Sequence, residues 1–320
     1  MRAVVVHEYG GPFETERRPV PEPGPGQVRV AVTAAGLNFA DVEQHRGDYP
    51  RGPTPPFVPG MEVAGRVDAV GDAVDDVPDG LVAGFCRGGF AEYAVVEADR
   101  LIPVPDRLDA TAAAALPVQW VTAHNCLHEW GDLADDECVL VHAAAGGVGS
   151  AAVQLASRAG ATVVGTASTA GKLALARELG ADHGVNYERE DVADRVAALV
   201  DGVDLVLDGV GGRAFSESVA ALADGGRIVT YGTASGRPGT VATPRLFFTN
   251  ASVVGYHLGH ALETTPERAL RATEPLVDLF ADGTVRVHVD SVHPLSASGL
   301  DRAYRRLRDR ESRGKVVVEL

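Results

Sequence analysis

Apolar and polar positions change their period along the chain. From residue 1 to about 118, "QVRVAVTAAG", "VAGRVDAVG" and "FAEYAVVEADRLIPVP" are extended runs broken by Gly and Pro, with almost no helical period. These runs predict a mostly β domain. The amino-terminal "MRAVVVHEYG" alternates in the same way, as a strand does. From about 137 to 256, short apolar runs ("ECVLVHA", "ATVVGTA", "GVNY", "VDLVLDGVG", "GGRIVTYG", "ASVVGY") alternate with helical patterns such as "AAVQLASRAG", "KLALARELG", "DVADRVAALV" and "AFSESVAALA". Six strands separated by helices predict a parallel, doubly wound α/β sheet. "VLVHA" and "VDLVLD" are apolar throughout, as strands covered by helices on both faces are. Gly160 and Gly180 fall where helices should stop. Beyond 256, "TPERALRATEPLVDLFADG" and "ASGLDRAYRRLRDR" predict helices and "GKVVVEL" a last strand. A tail this short has no core of its own, so it is expected to pack on the first domain. The expected division is a discontinuous β domain over 1–118 and 257–320, with the doubly wound domain over 119–256.

The glycine turn inside "VLVHAAAGGVGSAAVQLA" carries the first chemistry. In the pattern G-x-G-x-x-G, the first place permits a tight turn, the second a close approach of backbone to pyrophosphate, and the third close packing of helix on strand. Here those places are Ala144, Gly146 and Gly149, with Gly147 and Val148 between the last two. By itself a glycine-rich turn is weak support. This one follows a buried strand and opens a helix inside a βαβ unit, the Rossmann setting, and it predicts a dinucleotide pyrophosphate held at the positive end of that helix. At the end of the next strand an NAD site would place Asp or Glu on the ribose 2′-OH. The sequence there is "VVGTASTAGK", which has no carboxylate, and Ser168 and Lys172 are suited to a 2′-phosphate. Tyr187, after the following strand, joins them if the strand order brings it alongside. The expected cofactor is therefore NADPH.

Composition limits the remaining possibilities. No run reaches the ~18 apolar residues of a membrane-spanning helix, and no basic leader precedes an apolar stretch, so a cytosolic protein is expected. Acidic residues number 44 against 29 basic ones, a net charge of -15, which argues against a nucleic acid or an anionic membrane as partner. A salt-rich cytosol and a GC-rich genome would each favour this Arg- and Asp-rich composition, and the sequence does not separate them. Only two of the basic residues are lysines, Lys172 and Lys315. The three cysteines, Cys86, Cys126 and Cys138, include no close-set pair, and the 10 histidines show no HExxH or similar spacing. No metal site is expected.

The same residues resemble the zinc-independent quinone oxidoreductases, relatives of zeta-crystallin, within the medium-chain dehydrogenase/reductase superfamily. The likeness spans nearly the whole chain. It rests on "DECVLVHAAAGGVGSAAVQLAS", with Asp136, Leu140, Gly146, Gly147, Gly149, Gln154 and Ser157 in place, and on "AAGLNFADVEQHRGDYP" and "FVPGMEVAGRVDAVGDAV". The resemblance implies a GroES-like β domain and a homodimer formed along the edge strands of the Rossmann sheets. It also implies that Lys172 and Tyr187 meet the 2′-phosphate, that Asn38 and Thr122 lie near the nicotinamide, and that Arg310 (Arg313 on a shifted alignment) contacts the cofactor. Zinc-dependent members bind their metal through a Cys and a His where this chain has Asn38 and Met61. Glu43 and His124 stand where tyrosines are common, and His257 and His260 read as surface histidines.

NADPH delivers hydride only to an acceptor that is already electrophilic or is polarised. Without zinc a simple ketone lacks a Lewis acid worth several kcal/mol in the transition state. Quinones and conjugated carbonyls need less help. The leading expectation is an NADPH-dependent quinone oxidoreductase with Tyr49, Asn38 and Asp41 as candidate catalytic residues. The resemblance gives Tyr49 a proton-donor counterpart in related enoyl reductases, the nearest enzyme alternative. A non-catalytic NADPH-binding protein is the alternative of another class.

Overall fold

The alternating runs of the first third form β1 (Arg2–Val6), β2 (Phe13–Arg17), β3 (Gln27–Leu37), β4 (Glu62–Val70), β5 (Val82–Cys86) and β6 (Tyr93–Pro103) in a computed structural model that describes all 320 residues. The chain divides into two units, Met1–Gln119 with Thr273–Leu320, and Trp120–Ala272. In the first, β3 pairs with both β4 and β6, and β5 bridges those two, so the four antiparallel strands close on themselves. Closure leaves few free edges. Val28, Val30, Val63, Val82, Phe90 and Val96 fill the interior, each contributing roughly 1.5–3 kcal/mol by burial. The region reads as free of helical period, yet Phe39–Arg46 is a helix. Its buried positions include Asp41 and Gln44, so polar groups occupy the face that an apolar stripe would have revealed. Gly47, in the left-handed region at φ 82°, ends it.

The second unit holds β7 (Cys138–Val141), β8 (Thr162–Ala167), β9 (His183–Asn186), β10 (Val203–Asp208), β11 (Leu222–Thr230) and β12 (Ser252–Gly255). All pair in parallel, in the order β12-β11-β10-β7-β8-β9. Chain progression reverses between β7 and β10, the place where doubly wound sheets bind ligands beyond the carboxyl ends of their strands. Helices Gly147–Arg158, Ala170–Glu178, Val192–Ala197, Gly212–Ala221 and Thr243–Thr249 lie in the five connections. Every residue of β7 is buried, as its unbroken apolar run requires.

The tail returns to the first unit. It contributes β13 (Val289–Pro294), helix Ala297–Arg308 and β14 (Lys315–Glu319), which runs antiparallel to β3 and parallel to β13. One departure lies at residues 257–272, expected with the β domain and found with the Rossmann unit. Asn125 Nδ2 donates to the Ala269 carbonyl (2.9 Å) and to Tyr256 Oη (3.0 Å), and the Arg268 guanidinium lies 4.1 Å over the Trp130 ring. The segment read as one helix is two, Pro266–Leu270 and Thr273–Asp282. No helix is long and apolar enough to cross a membrane.

Candidate active site

The glycine turn is built around a strained alanine. Ala143 has φ 49°, and its carbonyl accepts from Gly146 N–H at 2.7 Å. A Cβ on Gly149 would lie 2.2 Å from that same carbonyl, so the third glycine is required by the turn itself. Helix Gly147–Arg158 starts without a side-chain cap on its Gly146 end. Its first N–H groups, which no helix pairs internally, thus lack a side-chain acceptor as well and suit an anion. Ala144 is buried, and its N–H donates to the Thr166 carbonyl of β8 at 3.0 Å. The turn fits a dinucleotide pyrophosphate.

At the end of β8, Ser168 precedes Thr169, whose Oγ1 caps the helix Ala170–Glu178 by accepting Lys172 N–H at 3.3 Å. Lys172 thus occupies the first turn of that helix. Parallel pairing sets Ala167 opposite Asn186, and Tyr187 N–H donates to the Ala167 carbonyl at 3.3 Å. The structure brings Ser168, Lys172 and Tyr187 to one end of two neighbouring strands. Arg310 belongs to the other unit, in the loop after helix Ala297–Arg308, and Arg313 N–H there donates to Asp290 Oδ1 at 2.9 Å.

Within the β unit lies a buried charge cluster. Lys315 is 1% exposed, and its Nζ donates to Asn38 Oδ1 at 3.0 Å and to the Glu62 carboxylate. Asn38 Nδ2 donates to the same Glu62 oxygen at 2.7 Å, while the other oxygen accepts Val118 N–H at 2.8 Å. Asn38, expected to face the reacting end, thus commits its carbonyl and one N–H to the protein. Gly36 allows the packing, since a Cβ there would meet Ala114 O at 2.3 Å and Lys315 Cε at 2.6 Å. Asp41 is fully buried, accepts Asn38 N–H at 2.8 Å and Gly60 N–H at 3.2 Å, and is pushed up to about 7 by burial. Lys315 is pushed down by burial, against the pull of Glu62. Tyr49 sits on the loop after the helix, and burial, then Glu43 and Asp41, push its phenol up to about 12. It is a protonated donor at neutral pH.

Thr122 is buried in the short helix Val121–His124 and hydrogen-bonds Tyr256. His124, in the same helix, is buried and pushed down to about 4, first by burial and then by His128, so it is neutral. His257 caps the helix Leu258–Thr264 by accepting His260 N–H at 3.0 Å, a local structural task. Cys86, Cys126 and Cys138 are free thiols raised by burial. The sequence did not point to Glu62, Lys315 or Tyr256 as partners of these residues. Lys315 alone left a trace, as one of two lysines in an arginine-rich chain.

Two family models match the chain, the alcohol dehydrogenase GroES-like domain over residues 24–106 and the zinc-binding dehydrogenase over residues 147–274. The quinone oxidoreductase of Thermus thermophilus, solved also with NADPH, shares 38% identity at a TM-score of 0.86, with 100% of each chain covered. The synaptic vesicle membrane protein VAT-1 homolog of Danio rerio is 35% identical over 341 residues, 99% of this chain and 69% of its own. The 2-haloacrylate reductase of a Burkholderia species is 39% identical over 246 residues, 73% of this chain and 74% of its own. The chain belongs to the quinone oxidoreductase-like family of the medium-chain dehydrogenase/reductases, and its cofactor is NADPH.

One matched model is described as zinc-binding, so the donor set needs a test. Asn38 offers a carboxamide oxygen already bonded to an ammonium, and Met61 a thioether accepting from Gln44 Nε2 at 3.4 Å. Zinc takes thiolate, imidazole or carboxylate. These two donors do not fit it, and the Lys315 charge beside Asn38 opposes a cation.

Proposed function

We propose that the protein is an NADPH-dependent quinone oxidoreductase working without zinc. The observation that carries this reading is the Asn38–Glu62–Lys315 cluster where zinc-dependent relatives, by the resemblance, hold their metal. With no Lewis acid to polarise a simple ketone, the acceptor must bring its own electrophilicity, as quinones do. NADPH, when bound, supplies the hydride. Ala144 and Gly146 shape the turn whose Gly147, Val148 and Gly149 N–H groups hold its pyrophosphate, Ser168, Lys172 and Tyr187 hold its 2′-phosphate, and Thr122 and Arg310 other parts of it. Asn38, through its remaining N–H, and Tyr49, as a neutral phenol, are the donors assigned to the acceptor's oxygens. Asp41 fixes the Asn38 backbone.

A second reading, reduction of a carbonyl-conjugated alkene, is supported by the likeness to a 2-haloacrylate reductase and by the protonated state of Tyr49. The acceptor assay separates the two: NADPH oxidation is followed with a panel of quinones and of α,β-unsaturated carbonyls. Turnover confined to the conjugated alkenes would overturn the quinone reading. We also propose a cytoplasmic homodimer. The free edge of β12 and the adjoining, tilted pair Phe247 and Phe248 just before it, 61% and 79% exposed, support self-association. A monomer in analytical ultracentrifugation would refute the dimer.

A further inference from the structure

His142 directly follows β7 and is 2% exposed, yet no step above uses it. Both ring nitrogens are bonded, Nδ1 to Thr166 Oγ1 at 3.0 Å and Nε2 to Ser218 Oγ at 2.7 Å. The direction of each bond follows by elimination. Ser218 Oγ–H donates to the Ala214 carbonyl at 2.8 Å, so its one hydrogen is committed and the oxygen must accept from the ring. Nε2 therefore carries the proton, and Nδ1 accepts from the Thr166 hydroxyl. Burial favours this neutral ring, with Asp208 and Glu217 acting the other way.

The partners give the bonds their meaning. Thr166 grips both flanks of the strained Ala143: its hydroxyl holds the His142 ring, and its carbonyl accepts Ala144 N–H. An alanine at φ 49° persists only where its surroundings over-determine it. The Ala143 carbonyl in turn sets Gly146 and the close approach of Gly149, hence the first turn of the helix that meets the pyrophosphate. Ser218 lies on helix Gly212–Ala221, which follows a loop folded by Asp208 Oδ1 accepting Val210 N–H (2.8 Å) and Gly211 N–H (3.0 Å). One imidazole thus ties together the carboxyl end of β7, that of β8, and the helix following β10, around the sheet's switch point.

We propose that His142, as the neutral Nε2–H imidazole between Thr166 and Ser218, is a positioning residue for NADPH that keeps the pyrophosphate turn in register with the strand leading to the 2′-phosphate residues. The test measures the Kd for NADPH by titration of the full-length protein, beside the melting temperature without cofactor. His142→Leu, which removes both bonds, should weaken NADPH binding at least about tenfold, as expected for lost buried hydrogen bonds. His142→Gln, whose amide can donate to Ser218 and accept from Thr166, should stay within about threefold. A purely structural histidine would lower the melting temperature of His142→Leu and leave its Kd unchanged, which would overturn the proposal. So would a glutamine variant that binds as poorly as the leucine one. Should His142→Leu fail to fold, Ser218→Ala takes its place, with a several-fold weaker Kd expected and an unchanged Kd refuting. A 1H–15N spectrum of the unaltered protein must show the His142 proton on Nε2, and a proton on Nδ1 contradicts the argument. Failure of the unaltered protein to bind NADPH would overturn the cofactor assignment and this role together, a result distinct from binding that His142→Leu leaves unchanged.

Discussion

Removing the Lys315 ammonium asks whether the buried charges act as a pair. Lys315→Met deletes the bonds from Nζ to Asn38 and Glu62, leaving Glu62, 0% exposed, with Asn38 Nδ2 and Val118 N–H as its partners. An uncompensated carboxylate in such a place costs about 3–5 kcal/mol of stability. Glu62→Gln should cost a similar amount, because it strands the buried ammonium. In the double variant both charges are gone, and the introduced amide can still accept from Val118 N–H. Its cost should fall short of the summed single costs by about 2–3 kcal/mol, within the range for residues in direct contact. Urea unfolding of the four proteins at pH 7, followed by circular dichroism, supplies the cycle. Single losses under about 1 kcal/mol, or losses that simply add, would refute a coupled buried ion pair and with it the charge that opposes a cation beside Asn38.

Further outcomes follow from the same geometry. Lys172→Ala should weaken NADPH by about 1.5–3 kcal/mol, the range for a hydrogen bond to a charged group, and NADH little; equal losses in cofactor titrations would mean that the lysine supports the fold. Tyr49→Phe should lower kcat only modestly with a quinone, whose reduced oxygens can take protons from water, but by roughly 10²–10⁴-fold if carbon must be protonated; steady-state kinetics with NADPH affinity as control decide. Asp41, raised from its ordinary value of 3.8 to about 7, holds its proton more tightly folded than unfolded. Its contribution to stability is present at low pH and is lost as pH rises from about 4 through about 7. Asp41→Asn lacks that loss, so its stability relative to the unaltered protein should improve between pH 5 and pH 8 in denaturant midpoints. A constant difference would show that the buried carboxyl does not titrate there.

The fold was largely legible because its strands bury both faces or alternate strictly. β7 and β10 read directly from their apolar runs, and the glycine turn from its place after β7. Helix Phe39–Arg46 was not legible, since it buries Asp41 and Gln44 where a sequence reader looks for leucine. Near residue 257 the structure keeps the next helices with the Rossmann unit, because Asn125, Glu129 and Trp130 bind Ala269, Arg268 and Arg271 through scattered polar contacts that leave no periodic trace. Ser168, Lys172 and Tyr187 were picked out because each follows a strand end, and the structure puts them at the ends of β8 and β9; their contact with a 2′-phosphate is a proposal. Glu62 and Lys315 lie 253 residues apart, and a pairing over that distance has no local pattern. Asn38 was read as a residue near the nicotinamide, and its bonds to Glu62 and Lys315 left no trace in the sequence.

NADPH-dependent reduction of a quinone with no metal can be checked in one mixing experiment. Its most direct test is a stopped-flow record of NADPH absorbance on mixing protein, NADPH and a quinone, with protein stripped in excess chelator and its metal content measured. The same rate is expected before and after stripping, with less than about one zinc per ten chains. A rate that collapses on stripping and returns with zinc, or NADPH that binds but is never oxidised by any quinone, would contradict it.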